Sequence, residues 1–399
     1  MTVVPPPADA PTRLLTPEFW ILAASTSVYF LGIGSLNVLV PTYVVDELGG
    51  SEATSGFVMG SMAVTALLAR PWFGRMADRR GARDIIAIGA ALACLSVLIL
   101  AIDSSLAGAF ASRLVMGAAG AGTFTGSMML SMDIAPESRR AQAGAYILIS
   151  FHVGLGVGPI GAEPILDATS YRTVWLIVSA LAAVSFVIAL ALPNRRRPID
   201  DTPPGPLVHR SAILPGLVTL FGVCAFNGLL QFAPLYAREI GLDDVGIVFT
   251  IASLTIVFVR LVFGRVPDMV GPIRAGSWAL VLTAFAAAVV AFWAEPAGLY
   301  VGAALLACGL SLQSPSFMTL AIEGVSDRER GSALATYTGF FDLANAIIGP
   351  AVGLIVVGFD YRVAFLTAGS MSLVALAILR LLVAPRRMGA QAASLAITR

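Results

Sequence analysis

The sequence predicts an all-α integral membrane protein with twelve transmembrane helices in two pseudo-symmetric six-helix bundles. Three observations carry this prediction. Of 399 residues, 57% are hydrophobic and 12% charged, about half the charge of an ordinary soluble domain. Apolar stretches of about 20 residues, enough to cross ~30 Å of hydrocarbon, recur twelve times along the chain. Residues of rare type also repeat at a constant offset of 190 positions.

In chain order, the first six spans fall near 18–42, 55–77, 84–102, 107–131, 141–166 and 171–192. The second six fall near 212–237, 244–267, 273–293, 297–321, 331–357 and 362–383. The expected divisions are a tail over 1–17, an N-terminal bundle over 18–192, a linker over 193–211, a C-terminal bundle over 212–383 and a tail over 384–399. The linker carries Arg195, Arg196 and Arg197, then Asp200, Asp201, Pro203 and Pro204, the polar, Pro-rich composition of a surface connection. The first 17 residues lack the basic region and cleavage site of a signal peptide, so a short cytoplasmic tail is expected.

Arginine placement predicts the orientation. With both termini inside, nineteen arginines fall in cytoplasmic tails, loops and linker, and Arg172, Arg238 and Arg362 fall outside. Arg70, Arg113 and Arg260 lie within or at the edge of spans. Such a bias places both ends in the cytoplasm. The expected location is a bacterial cytoplasmic (inner) membrane.

Composition also excludes. All 25 cations are arginine, so neither a Walker A phosphate loop nor Schiff-base lysine chemistry is available. His152 and His209 are the only histidines and lie 57 positions apart, so an H-E-x-x-H zinc site is impossible, and no G-x-S-x-G elbow occurs. Cys94, Cys224 and Cys308 sit in apolar stretches and read as small core hydrophobes. A net charge of +1 points to no nucleic-acid partner. The chain reads as no enzyme, with no cofactor.

The repeat is the most specific signal. Arg70, Phe73, Gly74, Arg75, Asp78 and Gly81 return as Arg260, Phe263, Gly264, Arg265, Asp268 and Gly271. The same offset of 190 links Asn37 to Asn227, Asp133 to Glu323, Arg140 to Arg330, Tyr171 to Tyr361 and Arg172 to Arg362. Gly158 and Pro159 return one position later as Gly349 and Pro350. Parallel six-helix halves related by an axis along the membrane normal are a transporter architecture, with substrate at the midplane interface.

Over nearly its whole length the chain resembles the major facilitator superfamily. The run from Gly74 to Arg83, with Asp78, Arg79, Arg80 and Gly81 at its centre, is similar to that family's loop between helices 2 and 3; Met76 and Ala82 depart mildly from it. Arg113, Gly117 and Gly120 in the fourth span resemble the second family signature. Gly154, Gly156, Gly158, Pro159 and Gly161 in the fifth resemble the third, associated with antiporters, although Ala162 and Glu163 stand where paired glycines are usual. Phe340 to Pro350 is similar to helix 11 of sugar-efflux-like and multidrug-efflux-like branches. The resemblance implies a conformational latch at Gly74, Asp78, Arg79, Gly81 and Arg83, with Arg83 reaching Asp133, and a weaker copy at Gly264 and Asp268. It also implies a monomer.

Several intramembrane residues are candidates for function. Arg113 lies about six residues into its span, roughly 10 Å deep at 1.5 Å per residue, and is expected to face a cavity. Asp342 lies near the midplane of the eleventh span, where a carboxylate can bind and release a proton in each cycle. Asn345 shares its face, and its repeat mate is His152, a residue type that titrates near physiological pH. Glu163 is an alternative proton carrier. Asn37, Asn227, Gln231 and Gln313 must find partners away from lipid, either as glue between helices or as substrate contacts. Tyr29, Phe30, Phe151, Phe232, Tyr236, Tyr337 and Phe341, with Met128, Met129 and Met132, are expected to supply an adaptable cavity wall. Gly154, Gly158, Pro159, Gly349 and Pro350 are expected to form bending points in spans five and eleven.

The expected function is secondary-active transport, the proton-coupled efflux of a small organic compound by alternating access. The expected partners are a small-molecule substrate, protons and the lipid bilayer, with the proton gradient as energy source. Proton symport or facilitated uptake uses the same scaffold. A membrane-embedded receptor or enzyme is the reading of another class, but no catalytic constellation supports it.

Overall fold

The computed structural model describes residues 14–194, 208–326, 329–385 and 387. The first half consists of α1 (Pro17–Asp46), α2 (Glu52–Arg80), α3 (Ala82–Ile102), α4 (Leu106–Ile134), α5 (Arg140–Ala168) and α6 (Tyr171–Leu190). The second half consists of α7 (Arg210–Gly222), α8 (Cys224–Glu239), α9 (Gly246–Phe263), α10 (Val266–Val270), α11 (Pro272–Phe292), α12 (Pro296–Ile322), α13 (Arg330–Gly358) and α14 (Tyr361–Ile378). A π-helical turn, Leu379–Val383, extends α14. No strand occurs among the described residues. The tails and most of the expected linker lie outside them.

Helix starts follow from local chemistry. Thr16, Ser51, Ser105, Ser170 and Asp360 each accept a hydrogen bond from a backbone N–H in the first turn of α1, α2, α4, α6 and α14, satisfying donors that have no partner within the helix. Gly81 and Gly271 sit at φ 93° and 88° between α2 and α3 and between α10 and α11. Few side chains tolerate that region, so the repeat conserves a glycine within the chain for a backbone reason.

Two spans depart from expectation. The seventh is two helices, α7 and α8, parted at Val223, where the Cys224 thiol donates to the Leu220 carbonyl at 3.1 Å. The eighth ends at Phe263, and α10 stands apart with Pro267 in its first turn. The corresponding stretch of α2, with Ala77 in that place, runs unbroken to Arg80; proline cannot supply the N–H that continuity needs. Eleven described segments are long and apolar enough to cross a membrane, α7 and α8 counting as one. α4 takes the twelfth place: Arg113 and its many glycines and serines dilute its hydropathy, while it packs against α2 and α3.

Small residues set the helix spacing, as expected where lipid tails are as apolar as the helix surfaces. A Cβ on Gly117 would overlap the Met62 carbonyl, and one on Gly126 would lie 2.7 Å from Ile86. The two halves meet along two seams, α2 against α13 and α5 against α9. Their registers are related by the 190-residue repeat. Gly56 meets Gly349 in one seam as Gly246 meets Pro159 in the other; Gly60 meets Ala346 as Thr250 meets Gly156. An even number of crossings puts both described chain ends on one face. On the opposite face, Arg238 of α8 donates to Asp46 of α1 at 2.7 Å.

Candidate transport site

Asp342 is buried at the middle of α13, where Arg70 of α2 reaches it across the seam. Arg70 Nε and Nη2 donate to Asp342 Oδ2 and Oδ1 at 2.9 and 2.8 Å, a bidentate pair and the strongest geometry for such contacts. The side chains are 22% and 9% exposed. Each partner belongs to a different half, so the pair persists only while this seam is closed. Asn345, one turn away, donates to the Phe341 carbonyl of its own helix at 3.0 Å, leaving Asp342 to Arg70.

Beside the pair runs an aromatic wall from the first half. The Arg70 guanidinium lies 5.8 Å above the Phe124 ring, within cation–π range. Phe124 and Phe151 are 5.9 Å apart, Phe151 and Phe30 4.2 Å, and Phe30 and Tyr29 4.9 Å. The His152 ring stands edge-on to Phe151 at 4.9 Å. Tyr29 is buried, its hydroxyl 3.9 Å from the Met116 sulfur. Phe341 is half-buried. Tyr337 turns into the second half, donating to the Ser314 carbonyl at 3.4 Å. Tyr236 does likewise: it donates to the Val290 carbonyl and stacks on Tyr361 and Phe365. Phe232 is buried at the Gly56 end of the seam.

The second seam carries the repeat mates. His152 of α5 is 8% exposed, and Arg260 of α9 stands in the place across this seam that its repeat mate Arg70 takes in the other. Nearer the face sealed by the Arg238–Asp46 bridge, Glu163 of α5 accepts from the Gly246 N–H at the start of α9, at 3.0 Å. That helix has no side-chain cap of its own, so a carboxylate of the other half serves its positive end.

The remaining polar candidates divide. Arg113 is 1% exposed, closed in between α4 and α1, with Nη2 donating to the Leu36 carbonyl at 2.8 Å and Nε and Nη1 without partners. It faces no open space in this conformation. Gln313, also 1% exposed, donates to Thr283 at 2.7 Å and bridges α12 to α11; its Oε1 has no hydrogen bond. Buried atoms of Asn227 and Gln231, one turn apart on α8, are likewise unpartnered. Asn37 is half-buried.

In the loop signature, Arg79 is exposed and Gly74 has open space where a Cβ would stand. The Asp78 side chain lies outside the described residues. Arg83 Nε and Nη2 donate to Asp84 at 3.0 and 2.9 Å, a partner that sequence reading did not name. Asp84 also accepts from Asn194 at 3.2 Å. Asp133 is half-buried at the end of α4, while Gly264 and Asp268 are exposed. Gly154 and Gly158 let α5 lie against the α1 backbone at Ser27 and Leu31, and Gly349, followed by Pro350, lets α13 lie against α2. The helices holding Pro159 and Pro350 are continuous over their full lengths. Close approach is the visible work of these residues.

Sequence reasoning missed the Arg70 partnership, the Phe124 platform and the Asp46–Arg238 bridge. The repeat held a usable signal: Arg70 and Arg260 are mates, as are Asp342 and His152, and one partnership implies the other.

The chain matches the family model described as Major Facilitator Superfamily over residues 22–325 and 242–396. An uncharacterized MFS-type transporter of Salmonella typhimurium is 26% identical over 372 residues, covering 90% of this chain and 95% of that protein. One of Burkholderia mallei is 28% identical over 387 residues, covering 92% and 91%. The crystal structure of a bacterial homolog of the human lysosomal transporter Spinster, inward-facing and unoccupied, superposes with a TM-score of 0.76 at 14% identity, covering 93% of this chain and 97% of that one. Twelve spans, seams in repeat register and a full-length model match place the protein among transporters: the chain belongs to the Major Facilitator Superfamily.

Proposed function

We propose that this transporter is proton-coupled and exports a small organic compound by alternating access, with Asp342 as the proton-binding group. The observation that carries the reading is the bidentate Arg70–Asp342 pair across the seam near the midplane. A carboxylate held by arginine has no vacancy for a proton; a carboxylate parted from it, deep in a low-dielectric bundle, takes one up. Protonation and separation of the halves therefore favour each other, and such mutual bias is what coupling requires. With the arginine bias favouring cytoplasmic chain ends, the sealed face is the outer one. Export is the favoured direction because the glycines of α5 resemble the antiporter signature.

The test uses everted vesicles containing the full chain, loaded with a pH indicator and screened with drugs, sugars and organic acids. Proton release from the lumen on addition of one of these compounds is the expected result. Asp342→Asn abolishes that release while leaving gradient-independent exchange of the same compound. Transport that stays proton-driven in the variant overturns the assignment. A compound that moves equally well without a gradient shows facilitated diffusion instead.

A further inference from the structure

The two seams are built on one register but not on one chemistry. In the first, Arg70 of α2 faces a carboxylate on α13. In the second, the mate of that arginine, Arg260 of α9, occupies the corresponding place across from His152 of α5, the mate of Asp342 at the same offset of 190. Backbone contacts fix the equivalence independently of these side chains, since Gly56–Gly349 and Gly246–Pro159 are mates, as are Gly60–Ala346 and Thr250–Gly156. The chain thus supplies a counter-ion to one guanidinium and an imidazole to the other. Among the described residues neither Arg260 nor His152 has a hydrogen-bond or ion-pair partner. Nor are their nitrogens among the buried unpartnered atoms, which include those of Arg113. An arginine within a membrane bundle is costly until an opposite charge or acceptor meets it.

We propose that the substrate supplies the missing charge: it is a small organic anion, a monocarboxylate with an apolar or aromatic body, bound between Arg260 and His152. The proposal rests on the transport reading above and names the substrate class of the same transporter. The carboxylate takes the place at Arg260 that Asp342 takes at Arg70, as a bidentate acceptor. His152 adds an N–H donor to the same group. Phe151, 4.9 Å from the imidazole, begins the aromatic run through Phe30 and Phe124, a wall suited to a flat apolar body. A neutral analogue of the same shape leaves the guanidinium unmatched and is rejected for that reason.

The test measures equilibrium binding to the full-length protein in nanodiscs, with benzoate and cinnamate compared with benzamide and cinnamamide. The acids are expected to bind wild type at least tenfold more tightly than the amides. Arg260→Gln erases the preference. His152→Asp erases it as well, because an internal carboxylate then neutralises Arg260 as Asp342 neutralises Arg70, and this variant carries no loss of charge pairing that would harm folding. Arg260→Lys keeps part of the preference. Equal binding of acids and amides by wild type overturns the proposal, as does a preference that survives in both Arg260→Gln and His152→Asp. Proton movement is read separately in everted vesicles. Acid binding that depends on Arg260 but moves no proton leaves this site standing and removes the coupling role of Asp342. Proton movement driven by a neutral compound, without acid preference, does the reverse.

Discussion

Gly56→Ala tests whether the sealed face is one of two states in balance. A Cβ on Gly56 would overlap the Gly349 carbonyl oxygen, stand 2.7 Å from its carbon and 3.2 Å from the Phe232 ring. Ordinary carbon contacts are about 3.5–4.0 Å, so α2 and α13 must part by about 1 Å at this level. Overpacking of that kind costs about 1–3 kcal/mol. Only the conformation with this seam closed bears the cost, so the balance shifts by a factor of about 5–150 toward the opposite opening. The assay is a spin-label distance measurement between Asp103→Cys and Glu295→Cys, both on exposed turns of the sealed face, after replacing the three native cysteines. The long-distance population is expected to grow with Gly56→Ala. It should grow less with the mate Gly246→Ala, whose Cβ would stand 3.0–3.1 Å from its neighbours, and not at all with Gly161→Ala, which meets nothing within 4 Å. An unchanged distribution for Gly56→Ala in folded protein refutes the reasoning.

Four further variants separate structure from function. Gly81→Ala and Gly271→Ala force a side chain onto φ values of 93° and 88°; each should cost about 1–3 kcal/mol, read as earlier thermal unfolding. Arg113→Met removes a buried charge with two unpartnered nitrogens, and replacing an unpaired buried ion by an apolar side chain stabilises. Its unfolding temperature should therefore rise, and a fall would mean that Arg113 holds the fold together. Gln313→Leu gives up one hydrogen bond to Thr283, which still donates to the Ala279 carbonyl. Its stability should change by about 1 kcal/mol or less, with the transport rate unchanged if Gln313 is glue between helices. A slowed rate at unchanged stability would make it a substrate contact.

The fold was legible because lipid imposes it: helix lengths follow from hydrocarbon thickness, and the repeat at 190 positions pairs the spans of the two halves. Most span ends were off by a few residues, since caps such as Ser51 extend helices beyond their apolar stretch, while the sixth span begins at Tyr171 as expected. The break at Val223 was not legible; no proline or charge marks it in the sequence. Asp342 stood out as an acid in an apolar run, but its partner lies 272 positions away and no local pattern announces it. Arg113 stood out equally and proves enclosed, because depth along a helix does not say which way a side chain points.

Deep charges in this chain differ in who neutralises them, and that difference sorts them. Arg113 is held by a carbonyl of its own half, a contact that a rigid rotation of one half leaves intact. Arg70 with Asp342, and Glu163 with the Gly246 N–H, are held by the opposite half, so every separation of the seams must break them. A proton or a ligand that binds one member of such a pair competes with closure, and by linkage closure expels it. Among the described residues Arg260, in the corresponding place of the other seam, has no hydrogen-bond or ion-pair partner, so on the proposal above a ligand there competes with nothing and closure retains it. On that proposal one seam releases a proton while the other holds a solute, and opposite responses to a single motion are what exchange of the two demands.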